Sequence, residues 1–141
     1  MIKISDKVTE GINKLALKFQ VKLLVIVGSF GTESYISGES DIDLAYLRDK
    51  PLSVKDSISI INELSRLFEN SKIDLVDLQR ASGLLKYEVA SKGRVIYEIR
   101  EGFFERYKLF CLRYYYDTKK FRDLRSVYLQ ERLEVLKSDK K

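Results

Sequence analysis

Histidine is absent from this sequence and cysteine occurs once, at Cys111. Without imidazole, neither a zinc site of the usual kind nor a Ser-His-Asp triad has the parts it needs, and a lone thiol excludes a disulfide within the chain. Any catalysis must run on carboxylates, hydroxyls, lysines or a hard metal ion, and Cys111 itself reads as a small buried apolar residue. No apolar run approaches the roughly 18 to 20 residues of a spanning helix, and the opening MIKISDKVTE lacks a secretory apolar stretch, so a cytoplasmic protein is expected. There is also no repeat, no low-complexity tract and no obvious linker.

What is present fits one globular domain of 141 residues, 45% hydrophobic and 33% charged. The net charge of +5 is unevenly placed: residues 1–99 carry 14 basic and 14 acidic side chains, residues 100–141 carry 12 and 7. The basic end permits an acidic partner surface or RNA, although a solvated helix face accounts for it as well.

Val8, Ile12, Leu15 and Phe19 recur at helical spacing behind a possible Ser5 cap. Val21 to Val27 is a β-branched apolar run stopped by Gly28, the pattern of a strand buried on both faces. A glycine- and serine-rich connection leads to a second strand, Asp41 to Leu47. A capping box at Ser53 and Asp56 opens a helix over 53–69, Lys72 to Leu78 reads as a third strand, Ser82 to Lys92 as a short helix closed by Gly93, and Arg94 to Ile99 as a fourth strand. From Phe103 onward helical spacing never lapses, which predicts one long helix or two with a break near Asp117–Thr118. This alternation implies an α/β (α+β) fold: a small mixed sheet packed with helices, plus a C-terminal helical tail. Residues 1–100 read as the core and 101–141 as a helical segment packed on it, one domain overall.

Asp41 and Asp43, two apart in a predicted strand, project their carboxylates from one face, while Ile42 and Leu44 point to the core. Like charges so close destabilise a sheet unless a cation lies between them, and Mg²⁺ takes carboxylates together with phosphate oxygens. Asp74 and Asp77 on the third strand have opposite parity, so only one can join that face; Asp74 is the better candidate because apolar residues flank it on both sides. Three such carboxylates can hold two divalent ions around an in-line displacement at phosphorus. Gly28 and Ser29, directly after the first strand, can offer N–H and O–H donors to phosphates, with Gly31, Gly38 and Ser40 keeping the connection pliable.

Gly28-Ser29-Phe30, ten intervening residues and Asp41-Ile42-Asp43 resemble the signature of the minimal nucleotidyltransferases of the DNA polymerase β superfamily, and within it the MntA-type adenylyltransferase antitoxins paired with HEPN ribonuclease toxins. The resemblance implies the polymerase-β-like fold over about residues 1–100. It also implies a magnesium-dependent enzyme that transfers AMP from ATP to tyrosine hydroxyls of a HEPN-type toxin, in a hetero-oligomer. By the same resemblance Asp41, Asp43 and Asp74 are catalytic and hold two Mg²⁺ ions, and Gly28, Ser29 and Ser40 line the nucleotide site. Relatives often place Arg-Gly after Gly-Ser, where Gly31-Thr32-Glu33 stands here. A binding antitoxin without catalysis, or transfer to a small molecule or an RNA end, are the alternatives. The tyrosines and basic residues after Tyr107 are read as core and partner interface, with nucleic acid and membrane not expected as partners.

Overall fold

The computed structural model describes residues 4–30, 32–33, 35–36 and 39–139. Its elements run α1 (Asp6–Lys18), β1 (Leu23–Val27), β2 (Ile42–Leu47), α2 (Val54–Phe68), β3 (Ile73–Asp77), α3 (Gly83–Lys92), β4 (Arg94–Glu98) and α4 (Phe103–Asp139). Three helices start where a serine can satisfy their orphan amides. The Ser5 hydroxyl accepts from Val8 N–H at 3.3 Å, Ser53 from Asp56 at 3.1 Å and Ser82 from Leu85 at 3.2 Å.

The sheet has the order β3-β2-β1-β4. β1 is antiparallel to both neighbours and β2 is parallel to β3, so the sheet is mixed as expected. Central β1 is apolar on both sides, and Leu23 to Ile26 are fully buried. On one face Leu24, Ile26, Ile42 and Leu44 pack against Ile12, Leu15 and Phe19 of α1 and Ile60 and Leu64 of α2. On the other, Leu23, Val25 and Ala45 meet Val89 of α3 and Phe104, Tyr107 and Cys111 of α4. The helices therefore sandwich the sheet, each layer reading one parity of the strands. Gly93 lets α3 come this near: a Cβ there would fall 2.6 Å from Val25 Cγ1 and 2.3 Å from the Val89 carbonyl oxygen.

The expected starts of two strands need correction, and of the two readings of the C-terminal end the single long helix holds. The strand expected from Asp41 begins at Ile42, leaving Asp41 on its threshold, and the first strand begins at Leu23 rather than Val21. The break near Asp117–Thr118 is absent: α4 is continuous, and the Thr118 hydroxyl donates back to the Tyr114 carbonyl at 2.8 Å without interrupting it. Among the described residues no helix is long and apolar enough to cross a membrane.

Candidate active site

The carboxylates meet where the α3 and α4 layer stops short of the sheet's end. Parallel pairing sets Asp43 of β2 directly beside Asp74 of β3, both on the face that Ala45 and Val76 share further along. Asp41 lies two residues before Asp43, at the mouth of β2, and is exposed. Across β2, Asp43 pairs with Val27, the last residue of β1. The chain then turns at Gly28 with φ +82°, a conformation natural to glycine. A Cβ at Gly28 would sit 2.6 Å from Asp43 Oδ2, so a side-chain-free backbone is required for this approach. The Gly28 turn thus lies against Asp43, with Asp74 on the next strand.

Burial, then the negative charge of Asp74, then that of Asp41, push the Asp43 carboxyl above the ordinary aspartate range. No described basic side chain forms an ion pair with Asp41, Asp43 or Asp74. Among the described residues no three acidic groups are drawn close enough to cage a metal unaided. That donor set still fits a hard divalent cation of the magnesium type, which keeps few protein ligands and completes its shell with water and substrate phosphate oxygens.

Asp77 is elsewhere. It has the opposite parity, pairs with Tyr46, accepts from Gln79 N–H at 2.9 Å and has Arg80 at 3.9 Å. Of the two downstream candidates, Asp74 is therefore the one brought beside Asp43.

The loop joining β1 to β2 is tied down at several points. Phe30 packs edge-on against Tyr35 and Phe68, at centroid distances of 5.0 and 5.3 Å, which anchors the turn on α2. Thr32 closes the turn onto the Ser29 carbonyl, and among the described residues the Ser29 hydroxyl makes no hydrogen bond. Ser40 has a structural role, because its hydroxyl accepts from Ile36 N–H at 3.0 Å, with its own proton still to offer. Gly31 and Gly38 lie outside the described residues.

Two contributors escaped the sequence reading. Buried Asn70 donates to the Tyr35 hydroxyl at 2.9 Å and the Ser40 carbonyl at 3.1 Å, and accepts from Lys72 N–H at 2.8 Å, clamping the chain just before Asp41 onto the start of β3. Arg94 of β4 reaches across β1 and donates from Nη2 to the Gly28 carbonyl at 2.8 Å, fixing the turn from the other side. An Asn-Ser after a helix and an Arg after a Gly-rich cap look like ordinary punctuation until the strands are paired.

Comparison with known proteins bears on the family and the fold. The family model for "Polymerase beta, Nucleotidyltransferase" matches residues 10–102. The chain is 33% identical over 88 residues to the protein adenylyltransferase MntA of Aphanizomenon flos-aquae (strain 2012/KM1/D3), a stretch covering 55% of this chain and 57% of that protein. In structure it is similar to a chain in a crystal structure of a toxin-antitoxin with AMP-PNP, with TM-score 0.70 and 22% identity over 86% of this chain and 98% of that one. It is likewise similar to a chain in the tri-AMPylated Shewanella oneidensis HEPN toxin in complex with MNT antitoxin, with TM-score 0.66 and 22% identity over 87% and 96% of the two chains. With the family model matched over well more than half of its length and the acidic pair set beside the glycine turn, the chain belongs to the polymerase beta nucleotidyltransferase family.

Proposed function

We propose that this protein is an antitoxin that acts as a protein adenylyltransferase, moving AMP from ATP to a tyrosine hydroxyl of a HEPN-type ribonuclease toxin. The acceptor oxygen attacks the α-phosphorus, a new P–O bond forms, the α–β anhydride bond breaks, and pyrophosphate leaves. The hydroxyl proton passes to Asp74 or to water. Asp41, Asp43 and Asp74 would hold two Mg²⁺ ions, which supply charge stabilisation for the attacking and leaving oxygens. The Ser29 hydroxyl and the backbone at Gly28 serve the triphosphate, with the Ser40 hydroxyl beside the loop's exit. Residues 1–100 carry this chemistry, the helical segment that follows packs on it through its first half only, and use of ATP sets the protein in the cytoplasm.

One observation carries the reading: two carboxylates stand in register, Asp43 against a positive-φ glycine turn and Asp74 beside it, with no ion-paired basic side chain among the described residues. A pair so arranged destabilises the free protein and makes sense as half of a cation site. The adenylyltransferase MntA, and the AMPylated HEPN toxin seen with its MNT antitoxin, support the choice of AMP and of acceptor. The toxin co-expressed with this chain should gain about 329 Da per modified tyrosine in an intact-mass spectrum, the mass an adenylyl group adds on phosphoryl transfer. With Asp43→Asn it should gain none. Equal modification by that variant rules the mechanism out.

A further inference from the structure

α4 is 37 residues long, about 55 Å at 1.5 Å per residue, and only its first half touches the rest of the protein. Phe104, Tyr107 and Cys111 are buried, and Tyr115 stacks on Tyr87 of α3 with centroids 4.4 Å apart. Arg122 is the last of these to approach another element, its Nη1 lying 3.0 Å from where a Cβ on Gly83 of α3 would stand. Residues 123 to 137 are all exposed.

The apolar pattern does not stop where the support stops. At 100° per residue the stripe that buries Tyr107 and Cys111 continues as Leu129, Leu133 and Leu136, which are 50, 57 and 57% exposed. A second stripe alongside it holds Phe121, Leu124, Tyr128 and Val135, exposed by 70, 58, 58 and 58%. Together they fill one half of the helix surface. Between Phe121 and Leu136, Asp123 and Glu134 fall on the other half and Glu131 at its margin, so this stretch of the apolar half contains no acid, whereas Asp117, one turn before it, falls on the same half. The stretch does contain Arg125 and Arg132, which lie on its midline seven residues apart, about 10 Å along the axis. Among the described residues Arg125 makes no ion pair, and Arg132 sits 6.0 Å from the Tyr128 ring centroid.

Charge selects the occupant of this face. Two copies pairing through it would bring Arg125 and Arg132 against their own counterparts, in either orientation, inside an apolar seam with no carboxylate. A helix lying on a membrane keeps its cations on the flanks of the apolar face, where they reach the headgroups, rather than along its centre. RNA would gain little from four leucines and a valine. An apolar groove with carboxylates along its floor satisfies every group, because leucines and aromatics fill its walls and the guanidiniums find bidentate partners.

We propose that the distal half of α4, Phe121 to Leu136, docks into an apolar, acid-floored groove on the toxin. Naming the toxin rests on the function proposed above. The test uses full-length chains, this protein titrated with its HEPN-type toxin in a calorimeter. The double variant Arg125→Glu with Arg132→Glu should weaken binding about 100-fold and Leu129→Ala with Leu133→Ala about 10-fold. Lys119→Glu with Lys137→Glu, on the opposite half, should stay within about threefold of wild type. Because these residues touch nothing outside α4 in the free chain, helicity and melting temperature should be unchanged in all three. Wild-type affinity in the first two variants overturns the docking surface and leaves the enzymatic reading standing. A wild-type chain that does not bind the toxin overturns both. Self-association, or binding to phosphatidylserine vesicles or an RNA oligonucleotide, that the arginine variant abolishes while toxin binding persists also overturns it.

Discussion

Asp74 and Asp77 lie three residues apart on one strand, and their surroundings could hardly differ more. Asp77 has a full set of partners: a backbone N–H at 2.9 Å, the Arg80 guanidinium and the Tyr46 hydroxyl, with its side chain 17% exposed. Burial and then this carboxylate hold the Tyr46 phenol above its ordinary value. At the same end of the sheet Lys86, though buried, is accommodated by the Ala81 carbonyl at 2.6 Å and the Tyr114 ring at 4.8 Å. Asp74 stands in register with Asp43, and among the described residues it has neither a side-chain hydrogen bond nor an ion pair. Where the protein needs a carboxylate for structure it surrounds it with donors, and where it leaves carboxylates together without donors the missing positive charge must come from outside.

The largest expected effect breaks this comparison directly. Asp74→Asn should reduce AMP transfer by a factor on the order of 10³ while leaving thermal stability near wild type, since it removes a charge that no structural contact uses. Asp77→Asn should do the reverse, with near-normal transfer but a loss of about 1 kcal/mol in urea unfolding as the charge-assisted bonds weaken. Activity lost with Asp77 and kept with Asp74 would exchange their roles.

A smaller effect is expected at the glycine turn. Gly28→Ala adds a Cβ 2.6 Å from Asp43 Oδ2 at a φ of +82°, so either the carboxylate or the turn must move. Such strain costs about 1–3 kcal/mol. Because the displaced atoms are the acid and the proposed phosphate donors together, transfer should fall about 10- to 100-fold at saturating ATP, beyond what the stability loss alone explains.

Parity and spacing made the acid pair legible in the sequence: Asp41, Ile42, Asp43 and Leu44 alternate, and Ile42 and Leu44 are fully buried as that alternation requires. The choice of Asp74 over Asp77 followed from the same rule. Strand order was not legible, because no local signal tells β1 to take antiparallel neighbours on both sides, and with it went the reach of Arg94 to Gly28 and of Asn70 to Ser40. Both are contacts between residues 30 or more apart in sequence. In α4 the periodicity was readable but its meaning was not. An apolar stripe announces that something covers it, and Phe121, Leu124, Tyr128 and Leu133, which keep the helical spacing, are exposed because the described residues supply no cover.

The finest consequence of the acidic pair concerns stability in the absence of metal. The folded Asp43 carboxyl titrates above the unfolded value of 3.8, so between those two values the folded state binds more protons and stability falls as pH rises. The penalty remains at neutral pH and disappears below about 3.8, where both states are protonated. Asp43→Asn removes the charge, so at pH 7 in a chelator the variant should melt about 1–3 °C above wild type, with the gap closing toward pH 3.5. Millimolar Mg²⁺ with a non-hydrolysable ATP analogue should then reverse the order, because a ligand that binds only the wild-type site stabilises wild type by mass action. A variant no more stable than wild type at pH 7, or a gap unchanged by acid, would mean that Asp43 already has its counter-charge within the protein and that the cluster has no call on a cation from outside.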